Sequence, residues 1–308
     1  MTQNKSKYEV IIAGGGPAGL SALLWCKDLG LDAILIEKES ETGGQLLRIH
    51  NIVRNHLGAE GVNGRHLRDA FLRQLENQKF QWITDAEVIE ADLGQRIVTL
   101  SNGAKYSGQA IIIATGVRRR KLNVPGEEEF FGKGILESGF KARDDVKGRD
   151  VLIVGGGDAA LENALLLSET AGKVVVVHRR NEFTARREFV EKAKGSRNID
   201  FIFNAQISEI RGNNGVESVE IRHRNSESRS RIKTNIVLIR IGVEPNTEIF
   251  REQIDLDDAG YVIVDANCLT SVPHVYAVGD AANPIAPTIS VAVGNGSAAA
   301  KAIFAELI

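Results

Sequence analysis

Two segments of this 308-residue chain repeat one another at an offset of 141 residues. Val10–Glu39 reads VIIAGGGPAGLSALLWCKDLGLDAILIEKE, and Val151–Arg180 reads VLIVGGGDAALENALLLSETAGKVVVVHRR. Each passes from an apolar run through a glycine-rich turn and a helix-period segment into a second apolar run. That order is a βαβ unit, and strands apolar almost end to end suit a parallel sheet covered on both faces. Two such units predict an α/β chain of two Rossmann-like domains, with length enough for each to bury its own core.

The first copy supplies Gly14, Gly16 and Gly19, with Pro17 and Ala18 between them. Glycines at this spacing let the chain turn tightly, let the backbone approach a pyrophosphate and let the helix pack on the strand. The helix N-terminus then offers unpaired N–H groups and a positive dipole to the phosphates. Glu37 follows Gly14 by 23 residues, the place where an acid accepts hydrogen bonds from a ribose diol. A dinucleotide site is the expectation.

The second copy supplies Gly155, Gly157 and Ala160, with Asp158 and Ala159 between them. His178 stands in register with Glu37, so EKE in one copy becomes HRR in the other. A carboxylate at that strand end would repel a 2′-phosphate, whereas the guanidinium groups of Arg179 and Arg180 can grip one. The sequence therefore favours NADP(H) here; the alternative is a solvated basic turn.

The rest of the sequence excludes more than it assigns. A net charge of −2 gives no overall pull toward nucleic acid. Cys26 and Cys268 are the only cysteines and share no CxxC or metal-ligand spacing. Without a disulfide framework, a reducing compartment is favoured. The polar start MTQNKSKYEV leads straight into a strand, and no apolar run approaches the ~20 residues of a membrane span. A cytoplasmic protein with no membrane segment is expected. ISEIRGNNGVESVEIRHR alternates around an Asn-Asn-Gly turn and predicts an antiparallel hairpin. The histidines at 50, 56, 66, 223 and 274 show no metal spacing and no nucleophile partner. Arg240 interrupts the apolar run NIVLIRIGV and must either face a nucleotide or pair with an acid.

Further motifs follow in order: ETGGQLL (Glu41–Leu47), IIIATGV (Ile111–Val117) and VYAVGDAA (Val275–Ala282). With the two glycine loops and HRR, the chain resembles the low-molecular-weight thioredoxin reductase family of flavoproteins over nearly its whole length. The resemblance implies two three-layer (ββα) domains. An FAD domain at 1–117 and 244–308 is interrupted by an NADP domain at 118–243. A homodimer is also implied. The resemblance further implies FAD contacts from Gly14, Gly16, Pro17, Ala18, Gly19, Glu37, Lys38, Gly44, Gln45, Leu46, Asn55, Val88, Ala114, Thr115, Gly116, Gly279, Asp280, Thr288 and Ile289. For NADP it implies Gly155, Gly157, Asp158, Ala159, Ala160, His178, Arg179, Arg180, Arg186 and Gly242.

The chain departs from that family at the redox dithiol. Ungapped alignment of GKGILESGFKARDDVKGRDVLIVGGG puts Ser138, Gly139, Phe140 and Lys141 on the four CxxC positions. Dithiol exchange needs a thiolate, which serine cannot supply. The NADPH signature also changes, with Thr184 at its third arginine, and the flavin-side pair falls on Pro287 and Thr288. VGGGDAA and ATGVRRRKL are similar to motifs of the thioredoxin-reductase-like ferredoxin/flavodoxin–NADP reductases, which also lack CxxC. Ferredoxin or flavodoxin is therefore the expected acceptor. Arg118–Lys121 would be either its docking patch or a solvated linker. Two readings stay open beside it: reduction of a small oxidant such as a quinone or metal complex, and a flavoprotein whose second site turns over no nicotinamide.

Overall fold

The computed structural model describes residues 6–76, 80–224, 226 and 228–308; the polar lead-in at 1–5 lies outside them. The apolar run Val10–Ala13 is β1, wholly buried. Helix α1, Pro17–Asp28, starts at the glycine loop with proline in its first turn, where a missing N–H costs nothing. Strand β2 (Ala33–Ile36), helix α2 (Gly64–Glu76) and β3 (Gln81–Ile83) come next. The antiparallel trio β4 (Val88–Asp92), β5 (Ile97–Leu100) and β6 (Lys105–Ser107) precedes β7 (Ala110–Ile113) and β8 (Val117–Arg119).

The second glycine loop sits in the same surroundings. After β9 (Ile135–Leu136) come β10 (Asp150–Val154), α3 (Asp158–Ser168), β11 (Lys173–Val177), α4 (Arg187–Lys194) and β12 (Ile199–Ile202). Three antiparallel strands, β13 (Ala205–Gly212), β14 (Val216–His223) and β15 (Arg229–Lys233), precede β16 (Ile236–Ile239). The expected hairpin is the β13–β14 pair. The chain returns through β17 (Val243–Pro245) and β18 (Val275–Ala277) and finishes in α5 (Ile289–Leu307). By internal contacts it divides into Met1–Arg118 with Glu244–Ile308 as one unit and Arg119–Val243 as the other.

In the first unit the parallel sheet runs β18-β7-β1-β2-β3, and in the second β12-β11-β10-β16-β9. Alternate residues of each central strand supply two cores, as strand geometry requires. Val10 and Ile12 join a core with α1 and α5, whereas Ile11 packs with Ala91, Val98 and Leu100 of the β4–β6 sheet. Val151 and Ile153 meet α3, whereas Leu152 and Val154 meet Ile207, Val219 and Ile221 of the β13–β15 sheet. Both units are thus three-layer α/β structures.

Candidate functional site

In the first unit, the carboxyl ends of β1, β2 and β7 open into a cleft of about 670 Å³, within the range of small-molecule and cofactor sites. Its floor is bare backbone. Gly14 adopts φ +114°, and a Cβ there would come within 2.3 Å of Ala114 O on the neighbouring strand. Only glycine permits that approach. Gly19 is packed beneath the loop, where a Cβ would meet Gly14 O at 1.9 Å.

Glu37, at the end of β2, is buried. One carboxylate oxygen accepts the Gly15 N–H at 2.7 Å and the other accepts the Glu39 N–H at 2.9 Å. Each oxygen keeps a further lone pair for a ligand hydroxyl. Asp280, just after β18, lines the cleft with no side-chain hydrogen bond among the described residues, and burial raises its pKa from the ordinary aspartate value. A partly buried carboxylate without a protein donor fits a hydroxyl-bearing ligand. Thr288 caps α5 by accepting the Val291 N–H at 3.2 Å, which aims a capped helix start at the same cleft. Gln45 donates to Val117 O at 2.8 Å and ties the Gly44–Arg48 turn to β8.

The cleft gathers Gly14, Gly16, Pro17, Ala18, Glu37, Lys38, Gly44, Gln45, Leu46, Val88, Ala114, Thr115, Gly116, Gly279, Asp280, Thr288 and Ile289. Two residues of the sequence reading are not on its wall. Gly19 supports the loop from beneath, and Asn55 is exposed on a turn beyond the Gly44–Arg48 segment. That turn is closed by the Val53 N–H to Val62 O bond, which leaves Asn55 at its solvent side.

Sequence reasoning also missed a wall of the cleft. Asn246 and Thr115 exchange bonds, Nδ2 to Thr115 O at 2.8 Å and Thr115 Oγ1 to Asn246 O at 2.7 Å. Arg118 bonds Asn246 Oδ1 at 3.0 Å and pairs with Glu244 at 2.8 Å and with Glu248. The signal was the polar Asn-Thr pair behind a proline in VEPNT, which the sequence presents as a linker. The structure also weakens Arg118–Lys121 as a docking patch: Arg118 is matched by two acids, and Lys121 pairs with Glu128 at 2.9 Å.

In the second unit the HRR triplet divides into an inward and an outward part. His178 is buried, and a Cβ on Gly156 would lie 2.3 Å from its ring. The ring is backed by Phe183 at 5.8 Å between centroids, itself packed edge-on against Phe201 and at a tilt against Phe203. Burial, then the Arg180 and Arg179 charges, push its pKa below the ordinary histidine value and so favour the uncharged ring. The sequence placed His178 at the nucleotide; the structure places it under the glycine loop, because an uncharged ring fills the space left by Gly156.

Arg179 and Arg180 are exposed and form no ion pair among the described residues. Arg186 differs. Its Nε meets Asp158 Oδ2 at 2.8 Å, its backbone N–H meets Oδ1 at 2.7 Å, and Phe189 lies under its guanidinium. Arg186 lies close to the motif in sequence, which made it a candidate for the signature's third arginine despite the wrong spacing, but its charge is already matched by the first residue of α3. Thr184 instead laces the loop, donating its N–H to Gly156 O at 2.8 Å. Gly155, Gly157, Ala159 and Ala160 form the turn and first residues of α3, and Gly242, at φ +96°, follows β16.

Neither cysteine is placed for exchange. Cys26 and Cys268 are both buried, and burial pushes their thiols up to about 12 and about 11. Among the described residues there is no group of three or more potential metal ligands and no helix long and apolar enough to cross a membrane.

Two glycine-loop βαβ units, each in a three-layer domain, define an α/β protein built from two dinucleotide-binding-type units. Residues 8–296 match the family model for pyridine nucleotide-disulphide oxidoreductases, and the chain belongs to that family. It is 32% identical over 300 residues to a thioredoxin reductase of Peptoclostridium acidaminophilum, covering 95% of each chain. The thioredoxin reductase of Lactococcus lactis in its FR conformation superposes with a TM-score of 0.85 at 28% identity, covering 98% of this chain and all of that one. That of T. acidophilum gives 0.83 at 30% identity, with 98% and 99% covered. Enzymes of this type use FAD and NADPH.

Proposed function

We propose that the first unit holds FAD, that the second holds NADP(H), and that the enzyme reduces its acceptor at the flavin without a dithiol relay. The observation that carries this is the absence of any usable thiol: no cysteine lines the cleft, and both cysteines are buried. When bound, nicotinamide and flavin supply the hydride chemistry themselves, and the protein supplies position and electrostatics. Glu37 and Asp280 accept hydroxyls, the starts of α1 and α5 face phosphate and ring, and bare glycine backbone admits the pyrophosphate. Arg179 and Arg180 carry unspent positive charge at the strand end where a 2′-phosphate lies. The unit boundaries support the assignment of 1–117 with 244–308 to FAD and of 118–243 to NADP.

We take a one-electron protein carrier, ferredoxin or flavodoxin, as the acceptor, since it needs no thiol on the enzyme. The neutralised Arg118 and Lys121 favour a second reading, a small oxidant that enters the cleft. Anaerobic mixing with NADPH, followed at the flavin absorbance band, tests the core of the proposal. Bleaching is expected; a flavin left oxidised by excess NADPH would refute it. Reduction of cytochrome c that requires added ferredoxin or flavodoxin selects the carrier, and turnover with quinone alone selects the small oxidant.

A further inference from the structure

Arg240 follows the last residue of β16, at the point where the strand order of the second unit reverses direction. The first strand of the repeat, β10, has β11 and β12 on one side and β16 and β9 on the other. Ligands of open α/β sheets bind outside the carboxyl ends of the strands at such a switch point. Arg240 is fixed there by its backbone: its N–H donates to Val154 O at 2.7 Å, and a Cβ on Gly155 would come within 2.1 Å of its carbonyl oxygen. It therefore abuts the glycine loop on the side away from Arg179 and Arg180, which follow β11.

The side chain is buried, at 6% exposure. Nη1 donates to Ile239 O at 2.8 Å and Nη2 to Glu137 O at 3.0 Å, both neutral carbonyls. Of the charged groups near it, Arg119 repels it and Glu137 attracts it, but no carboxylate among the described residues reaches ion-pair distance. Burial lowers its pKa only to about 10, so it carries a full charge at pH 7. A buried cation with no counter-ion is costly to hold in a folded chain. It is best explained by an anion that arrives from outside. Ser138, which aligns with the first of the family's two thiol positions, follows directly on Glu137, and a Cβ on Gly139 would come within 2.2 Å of Asn163 Oδ1 of α3.

We infer that Arg240 binds the dinucleotide's bisphosphate from its nicotinamide side. The inference rests on the reading of the second unit as the NADP(H) site. Arg179 and Arg180 then hold the 2′-phosphate at one end of the run, the start of α3 faces the bridge, and Arg240 supplies counter-charge toward the other end.

The test is calorimetric binding to the flavin-loaded enzyme of two ligands, NADP⁺ and 2′,5′-ADP, the second lacking the nicotinamide half. Arg240→Met keeps the length and removes the charge; Arg240→Lys keeps a charge without the fork. Arg240→Met is expected to weaken NADP⁺ by about 10- to 100-fold, the value of a hydrogen bond to a charged group, and to leave 2′,5′-ADP unchanged. Arg240→Lys should fall between. Equal weakening of both ligands, or an NADP⁺ affinity unchanged in Arg240→Met, would overturn the inference alone. Wild-type enzyme that binds neither ligand would overturn the NADP(H) reading and this inference with it. If Arg240→Met does not fold, Arg240→Lys carries the same comparison, and a ratio of the two affinities equal to wild type rejects the role.

Discussion

Glu37→Gln removes one charge from the loop that opens the first cleft, and its cost can be worked from two bonds. The carboxylate accepts the buried Gly15 N–H at 2.7 Å and the Glu39 N–H at 2.9 Å. Glutamine has one acceptor oxygen, which the buried Gly15 donor will claim, so the amide NH₂ is left facing the N–H of exposed Glu39. Water can serve Glu39, and the loss is one hydrogen bond plus the charge assistance on the other. Because water serves Glu39, the lower end applies, about 1.5 kcal/mol for a bond to a charged group against about 1 for a neutral one, and the sum is about 2 kcal/mol. Glu37→Ala also orphans the Gly15 donor and should cost about 4 kcal/mol. Thermal unfolding of the flavin-stripped protein reads this directly, at about 2–4 °C per kcal/mol for domains of this size. Glutamine should lower the midpoint by about 4–8 °C and alanine by about twice that. FAD should protect both variants less than wild type, because the ribose acceptor has gone. A stripped Glu37→Gln protein that melts with wild type would show that the carboxylate does not hold the loop.

Four further substitutions probe the second unit. Gly156→Ala drives a methyl to 2.3 Å from the His178 ring, which Phe183 backs; overpacking of this kind costs about 1–3 kcal/mol, and a denaturant midpoint equal to wild type would contradict the packing. Arg186→Ala breaks an exposed pair with Asp158 and should change the Michaelis constant for NADPH by less than about threefold, the scale of a surface ion pair. Arg179→Ala or Arg180→Ala should raise it about tenfold or more while sparing NADH. Steady-state kinetics with both coenzymes makes the comparison, and an Arg186→Ala defect as large as that of Arg179→Ala would mean that Arg186 leaves Asp158 for the phosphate.

Period and spacing made the fold legible. Near-continuous apolar strands around GGG loops specify parallel βαβ units, and a 141-residue repeat specifies two of them. The glycines were legible because each backbone role admits few residue types, Glu37 through its spacing from the glycine loop, and Asp280 through the family resemblance alone. Side-chain direction was not. His178 and Arg179 are neighbours in one motif, yet one is buried under Gly156 and the other exposed, since successive residues at a strand end point to opposite sides. Arg186 was misread for a related reason: its proximity to the motif was visible, but its bond to Asp158 across 28 residues was not. Asn246 and Glu248 reach the cleft only because β8 and β17 pair with each other, a long-range event that a linker-like composition conceals.

The two copies of the repeat solve one geometric problem in different ways. A loop that must expose its N–H groups to phosphate needs support from the end of the second strand. Glu37 gives that support as a hydrogen-bond acceptor with lone pairs to spare for a diol. His178 gives it as an uncharged ring packed against Gly156, with no ion introduced behind the loop. Because the support in the second copy is neutral, the charges of Arg179 and Arg180 stand unopposed at the rim. A carboxylate at position 178 would pair with them, as Asp158 pairs with Arg186. On the proposed NADP(H) reading of this unit, choice of coenzyme depends on a buried residue that need not touch it. His178→Glu should reduce the preference for NADPH over NADH while both arginines stay in place.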